Sequence, residues 1–86
     1  MSVDWLLRDG DEGVRRAAAT ALAELPSAGH AIQGGLSHPD TVVRCIFARA
    51  TAARGLTEAI PALQEGARSR NRLVRVACQQ SLQVLT

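Results

Sequence analysis

Residues 40–53, DTVVRCIFARATAA, decide the fold of this 86-residue chain. The stretch opens with an Asp that suits a helix start, reaches Val-Arg three residues later and continues with small and apolar residues. The pattern occurs twice more, as DEGVRRAAATALA at 11–23 and NRLVRVACQQSLQ at 71–83, with starts 29 and 31 residues apart. Such a period indicates supersecondary units that cannot bury their apolar faces alone. The sequence therefore predicts a short all-α solenoid.

Composition supports one small folded domain. The chain is 47% hydrophobic with two aromatic residues, Trp5 and Phe47, so the core must be built from Ala, Leu, Val and Ile. All ten basic residues are Arg, a bacterial-like composition that indicates a GC-rich genome more than a function. We predict a single domain over residues 1–86, with units at about 2–25, 28–54 and 57–86.

The cysteines and the N-terminus favour a cytoplasmic protein. Cys45 and Cys78 have no CxxC spacing and no secretory context, which predicts reduced thiols. The first residues lack a basic and apolar signal peptide, and no segment has the length of a membrane span. We expect no membrane association and no export.

Capping and breaking residues predict six helices in three pairs, each pair a short helix followed by a long one. Ser2 caps the first helix, and residues 28–37 form a weak third helix because two adjacent Gly disfavour it. Asp11 caps the second helix, which Pro26 ends. Its spacing predicts a buried face of Val14, Ala17, Ala18, Ala21, Leu22 and Leu25.

The second half of the chain repeats this order. Asp40 caps a fourth helix that Gly55 closes, and Thr57 opens a fifth with Pro61 in its first turn. Asn71 caps the last helix, which runs to the C-terminus. The long helices align position by position, as in Val14, Val43 and Val74.

Three stretches carry a family resemblance. AIPALQEGARSRNRLVRVACQQSLQVL at 59–85 resembles a short HEAT repeat of the kind found in phycobilisome-lyase-type HEAT-like proteins, and VDWLLRDGDEGVRRAAATALAEL and AIQGGLSHPDTVVRCIFARATAARGL look like two more copies. The period is shorter than the 40–47 residues of ordinary HEAT units. The resemblance implies a right-handed α-α superhelix of helix pairs with a binding role, and it does not imply lyase activity.

The repeated polar residues predict a structural ladder. Each cap residue accepts hydrogen bonds at a helix start, and each Arg four residues later reaches the acid or the loop carbonyls of the preceding unit. We therefore expect Arg44 near Asp11 and Arg75 near Asp40, and the resemblance implies the same internal role. The ladder set is Asp11, Arg15, Asp40, Arg44, Asn71 and Arg75.

Catalytic and metal-binding patterns do not stand out. Gly34-Gly35 lies outside any phosphate-binding motif, and no nucleophile elbow or paired carboxylates occur. His30 and His38 lack an adjacent Glu and suit exposed helix-start or turn positions better than metal ligation. We expect no enzyme activity, no cofactor and no metal.

Apolar residues at the two ends of the stack are candidate partner sites. Leu73, Val76, Ala77 and Val84 form a second apolar stripe on the last helix, which predicts an uncapped end that binds another copy or a partner protein, unless a twist of the helix hides it. Trp5 lies on the flank of the first helix, as an interface anchor or as a seal over the first unit. The acidic N-terminal and basic C-terminal turns would also let copies attract head to tail.

The short helices line the concave face in the family that the chain resembles. Their outward residues would recognise a peptide or loop by hydrogen bonds. Helical phase predicts that these residues are Asp4, Arg8, His30, Gln33, Gln64 and Arg68.

These features leave three functions open, of which a non-catalytic protein-interaction scaffold is the best supported. The rival from another class is a nucleic-acid backbone binder that uses Arg68, Arg70, Arg72 and Arg75. Against it stand the shortage of aromatics for base stacking and the acidic residues at the other end. By family analogy, a bilin lyase or isomerase subunit is the third.

Overall fold

The computed structural model describes residues 4–25, 32 and 34–86, with the side chain of every one of them except Asp4. A 3₁₀-helix spans Asp4–Arg8, α1 spans Glu12–Glu24 and α2 spans Thr41–Ala53. A 3₁₀-turn at Thr57–Ala59 leads into α3 at Ile60–Gly66, and α4 spans Arg72–Leu85. Over these described ranges the fold is all-helical.

Of the predicted helices, the first has a different type in the structure and the third is only partly described. The first is a 3₁₀-helix rather than an α-helix, and its predicted cap, Ser2, lies outside the described residues, as does Pro26. Ile32, Gly34 and Gly35 are helical, whereas the bounds of the predicted third helix lie outside the described residues. Pro61 occupies the first turn of α3, as predicted, where its missing N–H costs no hydrogen bond.

The three long helices begin at equivalent N-caps. Asp11, Asp40 and Asn71 have extended backbone, and the Oδ1 of each accepts from the N–H groups two and three residues later at 2.8–3.3 Å. These bonds satisfy donors that a helix start leaves without partners. Positions counted from the cap, here called the cap register, are therefore equivalent in α1, α2 and α4.

The helices form two layers. The long helices stack in the order α1, α2, α4, while the 3₁₀-helix packs on α1 and α3 packs on α4. One buried cluster lies between α1 and α2 and contains Ala19, Leu22, Ile32, Val43, Phe47 and Ala50. A second lies among α2, α3 and α4 and contains Cys45, Ala48, Ala59, Leu63, Val74, Ala77 and Cys78. The Cα envelope is 14 Å thick, as expected for two helical layers.

Alanine sets how closely neighbouring long helices approach. Ala19 in α1 and Ala48 in α2 hold the same position relative to their caps, and both are fully buried. Ser81 of α4 donates a hydrogen bond to the carbonyl oxygen of Ala48 at 2.7 Å, a contact that requires the α2 and α4 backbones to lie close. A larger side chain at this position would separate the helices and open the core.

Glycine has the same role where the short and long helices of one repeat cross. A Cβ on Gly35 would overlap the ring of Phe47, and a Cβ on Gly66 would overlap the Sγ of Cys78. Gly66 follows Gly35 by 31 residues, as Cys78 follows Phe47. Gly35 is therefore needed for close packing, and the sequence-based reading of it as a weak helix former missed this.

The buried face of α1 differs from the predicted one. Ala18, Ala19 and Leu22 are buried, whereas the prediction also placed four residues in the core that are exposed, namely Val14, Ala17, Ala21 and Leu25. The positions equivalent to Val14 are core in the other long helices, since Val14 is 38% exposed against 0% for Val43 and 2% for Val74. Val43 and Val74 are each covered by the preceding long helix. Among the described residues, α1 has no preceding long helix to cover Val14.

Candidate binding grooves between the repeats

The loop before each long helix contains a polar contact that the sequence analysis missed. The residue two positions before the cap accepts a hydrogen bond from the backbone N–H of the cap residue. The acceptors are the Oδ1 of Asp9 at 2.8 Å, the Nδ1 of His38 at 2.9 Å and the Oγ of Ser69 at 3.1 Å. The three acceptors are different residue types, so aligning identical residues does not reveal the motif. Each of the three side chains can accept a hydrogen bond, and a comparison on that basis, two positions before each cap, would have revealed it.

His38 joins two repeats. Its Nδ1 accepts from the N–H of Asp40, so the ring proton lies on Nε2, which donates to the carbonyl oxygen of Leu7 at the end of the first 3₁₀-helix. The side chain is half-buried rather than exposed, which corrects the prediction. Within the described part of the chain, no group of three or more His, Cys, Asp or Glu residues could hold a metal ion.

The first groove lies between the loops of the first and second repeats and encloses about 700 Å³ between Leu7, Arg8, Arg15, His38 and Asp40. Arg15 spans it. Its Nε and Nη2 both donate to the Oδ2 of Asp40, at 3.1 and 3.0 Å, and its Nη1 donates to the carbonyl oxygen of Asp9 at 2.7 Å. One guanidinium thereby links the loop of its own repeat to the helix start of the next.

The carboxylate of Asp40 is buried and fully bound. Its side chain is 3% exposed. Burial opposes ionisation, but the hydrogen bond from Arg15 and those from the N–H groups of Val43 and Val42 hold the pKa of Asp40 below its ordinary value. The Nε of Arg16 adds a charge contact at 3.5 Å. The first groove therefore contains an Arg–Asp pair that is complete within the chain.

The predicted direction of the ladder is wrong. Asp40 is bound by Arg15 of the preceding repeat, not by Arg75, and the Nη1 of Arg75 donates to Ser69 of its own loop at 3.2 Å. Arg44 lines the second groove rather than meeting Asp11. The reason is that side chains on a helix lean towards its N-terminus. Each Arg thus lies beside the loop that precedes its own helix, on the side that faces the loop of the following repeat.

The second groove is the counterpart of the first, between the loops of the second and third repeats. It encloses about 470 Å³, and its walls include Leu36, Pro39, Arg44, Ala62, Glu65 and Arg68. Where the first groove has the Asp40 carboxylate, the third repeat has the amide of Asn71, which donates to the Oγ1 of Thr41 at 2.9 Å. Among the described residues Arg44 makes no ion pair, and its buried Nε has no hydrogen-bond partner.

The C-terminal face of the stack is more polar than predicted. In cap register Gln79 replaces Ala48, a buried residue by which α2 meets the next long helix, and Gln83 replaces the half-buried Ala52. Both Gln are exposed. Ala77, predicted to lie in the second stripe, is buried. Leu73, Val76 and Val84 are exposed, as the predicted stripe requires, and of these Val76 alone holds a stacking position.

The remaining predicted surface residues are distributed over the molecule. Trp5 is 65% exposed on the 3₁₀-helix, and Leu73 and Val84 are 63% and 69% exposed on the outer ridge of α4. Arg8, Gln64, Arg68 and Val76 are exposed. His30, Gln33 and the side chain of Asp4 lie outside the described residues.

The predicted basic cluster is smaller than four residues. Arg68, Arg70 and Arg72 are exposed around the turn between α3 and α4. Arg75 is half-buried and engaged with Ser69, so it belongs to the loop rather than to the free surface. Three exposed Arg side chains remain around this turn.

The two cysteines belong to the packed interior. Cys45 and Cys78 are free thiols in the same buried cluster. Burial raises the pKa of both, although Arg49 and Arg44 act against it at Cys45. A buried thiol with a raised pKa is a poor nucleophile, so neither residue has the environment of a reactive cysteine.

The stacked helix pairs, the equivalent caps and the grooves between successive loops define an α-solenoid. The profile of the HEAT repeats family matches residues 3–83, and the chain therefore belongs to the HEAT repeat family. The search of curated proteins gave no match. The search of solved structures gave none either. Within the ranges 4–25, 32 and 34–86, no helix has the length and apolar character needed to cross a bilayer.

Proposed function

We propose that this protein is a non-catalytic interaction module that binds another protein. One observation carries the proposal: α1 exposes the face that α2 and α4 bury, with Val14, Ala17 and Ala21 at the positions of core residues in the other two helices. An exposed face with the composition of a helix-packing surface suits the apolar side of a partner helix. HEAT repeats generally mediate protein–protein interaction, which supports the same function.

Further surfaces extend this proposed interface. Leu73, Val76 and Val84 offer apolar contacts on α4, and Trp5 offers an exposed aromatic anchor near the other end. Arg8, Gln64 and Arg68 are exposed polar side chains that suit hydrogen bonding to a peptide or loop. Asp4, His30 and Gln33 are proposed on the sequence pattern alone. A second copy of the chain is also a candidate partner for the apolar surfaces.

Quantitative affinity capture with matched surface variants tests the proposal. Val14→Glu combined with Ala21→Glu places charge on the open face of α1. Glu suits position 14, in the first turn after an Asp cap, and is a good helix former at the exposed position 21, so the fold should persist. Leu73→Glu combined with Val84→Glu does the same on α4. Ala53→Glu is the control, since Ala53 is exposed and holds the position of Val84 in α2.

We expect one of the two double variants to lose specific partners that the wild-type chain and the control variant retain. Equal capture by all four proteins would overturn the proposal, provided that circular dichroism shows that each is folded.

A second function, nucleic-acid backbone binding, is favoured by the exposed Arg68, Arg70 and Arg72. Phosphate contacts weaken steeply with salt, because they release condensed counterions, whereas apolar contacts do not. Fluorescence anisotropy of a short duplex DNA, measured over a range of salt concentrations, separates the two. Tight binding that is lost in an Arg68→Gln, Arg70→Gln and Arg72→Gln variant would favour this function.

We also propose that the repeats are of the short, phycobilisome-lyase type, because the caps lie 29 and 31 residues apart. Residues 1–86 are proposed as one domain, since the buried clusters join all three long helices. A cytoplasmic location is proposed because both cysteines are free.

A further inference from the structure

The two grooves between repeats have the same Arg position, but only the first has a carboxylate that pairs with it. Arg15 and Arg44 lie at the same position, four residues after their caps, and each lines the groove towards the next loop. In the first groove the next loop supplies the Asp40 carboxylate, which accepts two hydrogen bonds from Arg15. At the position of Asp40 the third repeat has Asn71, which has no charge, donates its amide to Thr41 and does not line the second groove.

Arg44 is therefore an ion-pair partner without its anion. Its Nε is buried and makes no hydrogen bond, and the described residues provide it with no carboxylate within ion-pair distance. A buried donor without an acceptor is costly, and a guanidinium holds its charge at all physiological pH values. A carboxylate at the guanidinium would give Arg44 the counter-charge that the described residues do not provide.

The rest of the second groove suits an anion with a short aliphatic stem. Arg68, in the turn after α3, adds a second positive charge to the groove wall. Glu65 lines the same groove, but none of its oxygens forms an ion pair with Arg44 or Arg68. Leu36, Pro39 and Ala62 provide apolar walls against which methylene groups can pack.

We infer that the second groove binds a side-chain carboxylate from an acidic segment of a partner protein, with Arg44 holding it as Arg15 holds Asp40. The first groove supplies the template, since an Arg at this position meets a carboxylate there with Nε and Nη2. A carboxylate on a short stem matches the walls, whereas a nucleic acid would find no Phe, Tyr or Trp among the lining residues, only the ring of His38, whose two nitrogens are already hydrogen-bonded. The inference rests on the proposed function, because the partner is a protein.

NMR of the arginine side chains tests the groove directly. The probe is a short acidic peptide, acetylated and amidated oligoglutamate, with oligoglutamine as the uncharged control. We expect the Nε–Hε resonance of Arg44 to shift on addition of oligoglutamate and to stay in place with oligoglutamine. An unmoved resonance would overturn the inference, and so would a shift caused by a short duplex DNA but not by oligoglutamate.

Variants at position 71 make the test specific. Asn71→Asp places a carboxylate where Asp40 lies in the first groove, so it should occupy Arg44 and weaken oligoglutamate binding roughly tenfold, equivalent to about 1.4 kcal/mol. Asn71→Ser is the matched control, because Ser is an equally good helix cap and brings no charge. Equal affinities for the wild-type, Asp and Ser proteins would contradict the assignment.

Different results would contradict the inferred carboxylate site and the proposed protein-interaction function. If oligoglutamate leaves Arg44 unmoved while the α1 or α4 surface variants still lose partners, the carboxylate site is wrong and the interaction function stands. If oligoglutamate binds at Arg44 but no surface variant loses a partner, the proposed function fails by its own test.

Discussion

Arg15 binds Asp40 across the boundary between the first and second repeats, with its Nε and Nη2 at 3.1 and 3.0 Å from the same carboxylate oxygen. The other oxygen of Asp40 accepts from the first N–H groups of α2. One side chain therefore caps a helix and fixes the position of the preceding helix at the same time. Asn71 retains the first role, but it contacts the preceding helix through a neutral hydrogen bond to Thr41 instead of an ion pair. The boundary with the third repeat therefore depends on apolar packing, the Ser81–Ala48 hydrogen bond and the Asn71–Thr41 hydrogen bond.

Asp40→Asn should separate these two roles. Asn is as good a cap as Asp, so the helix start survives, but Arg15 is left partly buried without its anion. We expect the free energy of unfolding to fall by about 1–3 kcal/mol, the cost of leaving a charged partner without its hydrogen bond. Urea denaturation monitored by circular dichroism measures this value.

Asp11→Asn is the control for that measurement. Asp11 caps α1 in the same geometry but is exposed, and its carboxylate accepts from backbone N–H groups rather than from an Arg. We expect its unfolding free energy to change by only a few tenths of a kcal/mol. An Asp11→Asn loss as large as that of Asp40→Asn would show that capping, not the ion pair, dominates.

Acid should weaken the wild-type protein through Asp40. Because the pKa of this carboxyl is lower in the folded chain than its ordinary value of 3.8, the unfolded chain binds the proton more tightly. The stabilisation is present above that ordinary value and is lost as the pH falls through the lower folded value. We expect the unfolding free energy of the wild-type protein to decline more steeply in this acid range than that of Asp40→Asn, measured by urea denaturation at stepped pH. Parallel curves would contradict the assignment.

Gly35→Ala should be destabilising despite the better helix propensity of Ala. The added Cβ would overlap the Phe47 ring, which is fully buried and has no room to move, and such overpacking costs about 1–3 kcal/mol. Gly34→Ala is the matched control, since no atom lies within 4 Å of its added Cβ, and we expect a gain of roughly 0.5–1 kcal/mol. Thermal and urea unfolding of the two variants measure the difference.

A double-mutant cycle checks the mechanism at this crossing. Phe47→Leu removes the ring that the new Cβ would meet, so it should recover part of the Gly35→Ala loss and give a favourable coupling energy. Strict additivity of the two changes would mean that Gly35 is required for another reason.

The fold was largely predictable from the sequence because its signals are local. The caps Asp11, Asp40 and Asn71 and the recurring Val-Arg pairs fix the starts of the long helices, and the structure confirms those starts. Burial, in contrast, depends on contacts between helices. Val14 has the sequence environment of Val43 and Val74, yet its exposure depends on which helices lie beside it, and the single-helix pattern does not contain that information.

The candidate grooves were predicted only in part. The sequence identified the ladder residues but not their direction, because direction depends on which loop stacks beside the guanidinium. The role of His38 was missed for a similar reason: its partner, the carbonyl of Leu7, is 31 residues away and is a backbone atom. The sequence does not distinguish Asn71 from Asp40, since Asp and Asn are interchangeable as caps, and only the contact of Arg15 with Asp40 reveals the difference.

The glutamines of α4 should limit stacking between copies of this chain. Gln79 and Gln83 stand where α2 has Ala48 and Ala52, and a neighbouring helix packs closely only against such small residues. Gln79→Ala with Gln83→Ala would restore a small-residue face next to Val76, complementary to the open face of α1. We expect light scattering over a wide concentration range to show a higher average mass for this variant than for the wild-type chain. Adding Val14→Glu should reverse the gain, because it charges the opposing face, and a mass that stays high in the triple variant would rule out stacking through α1.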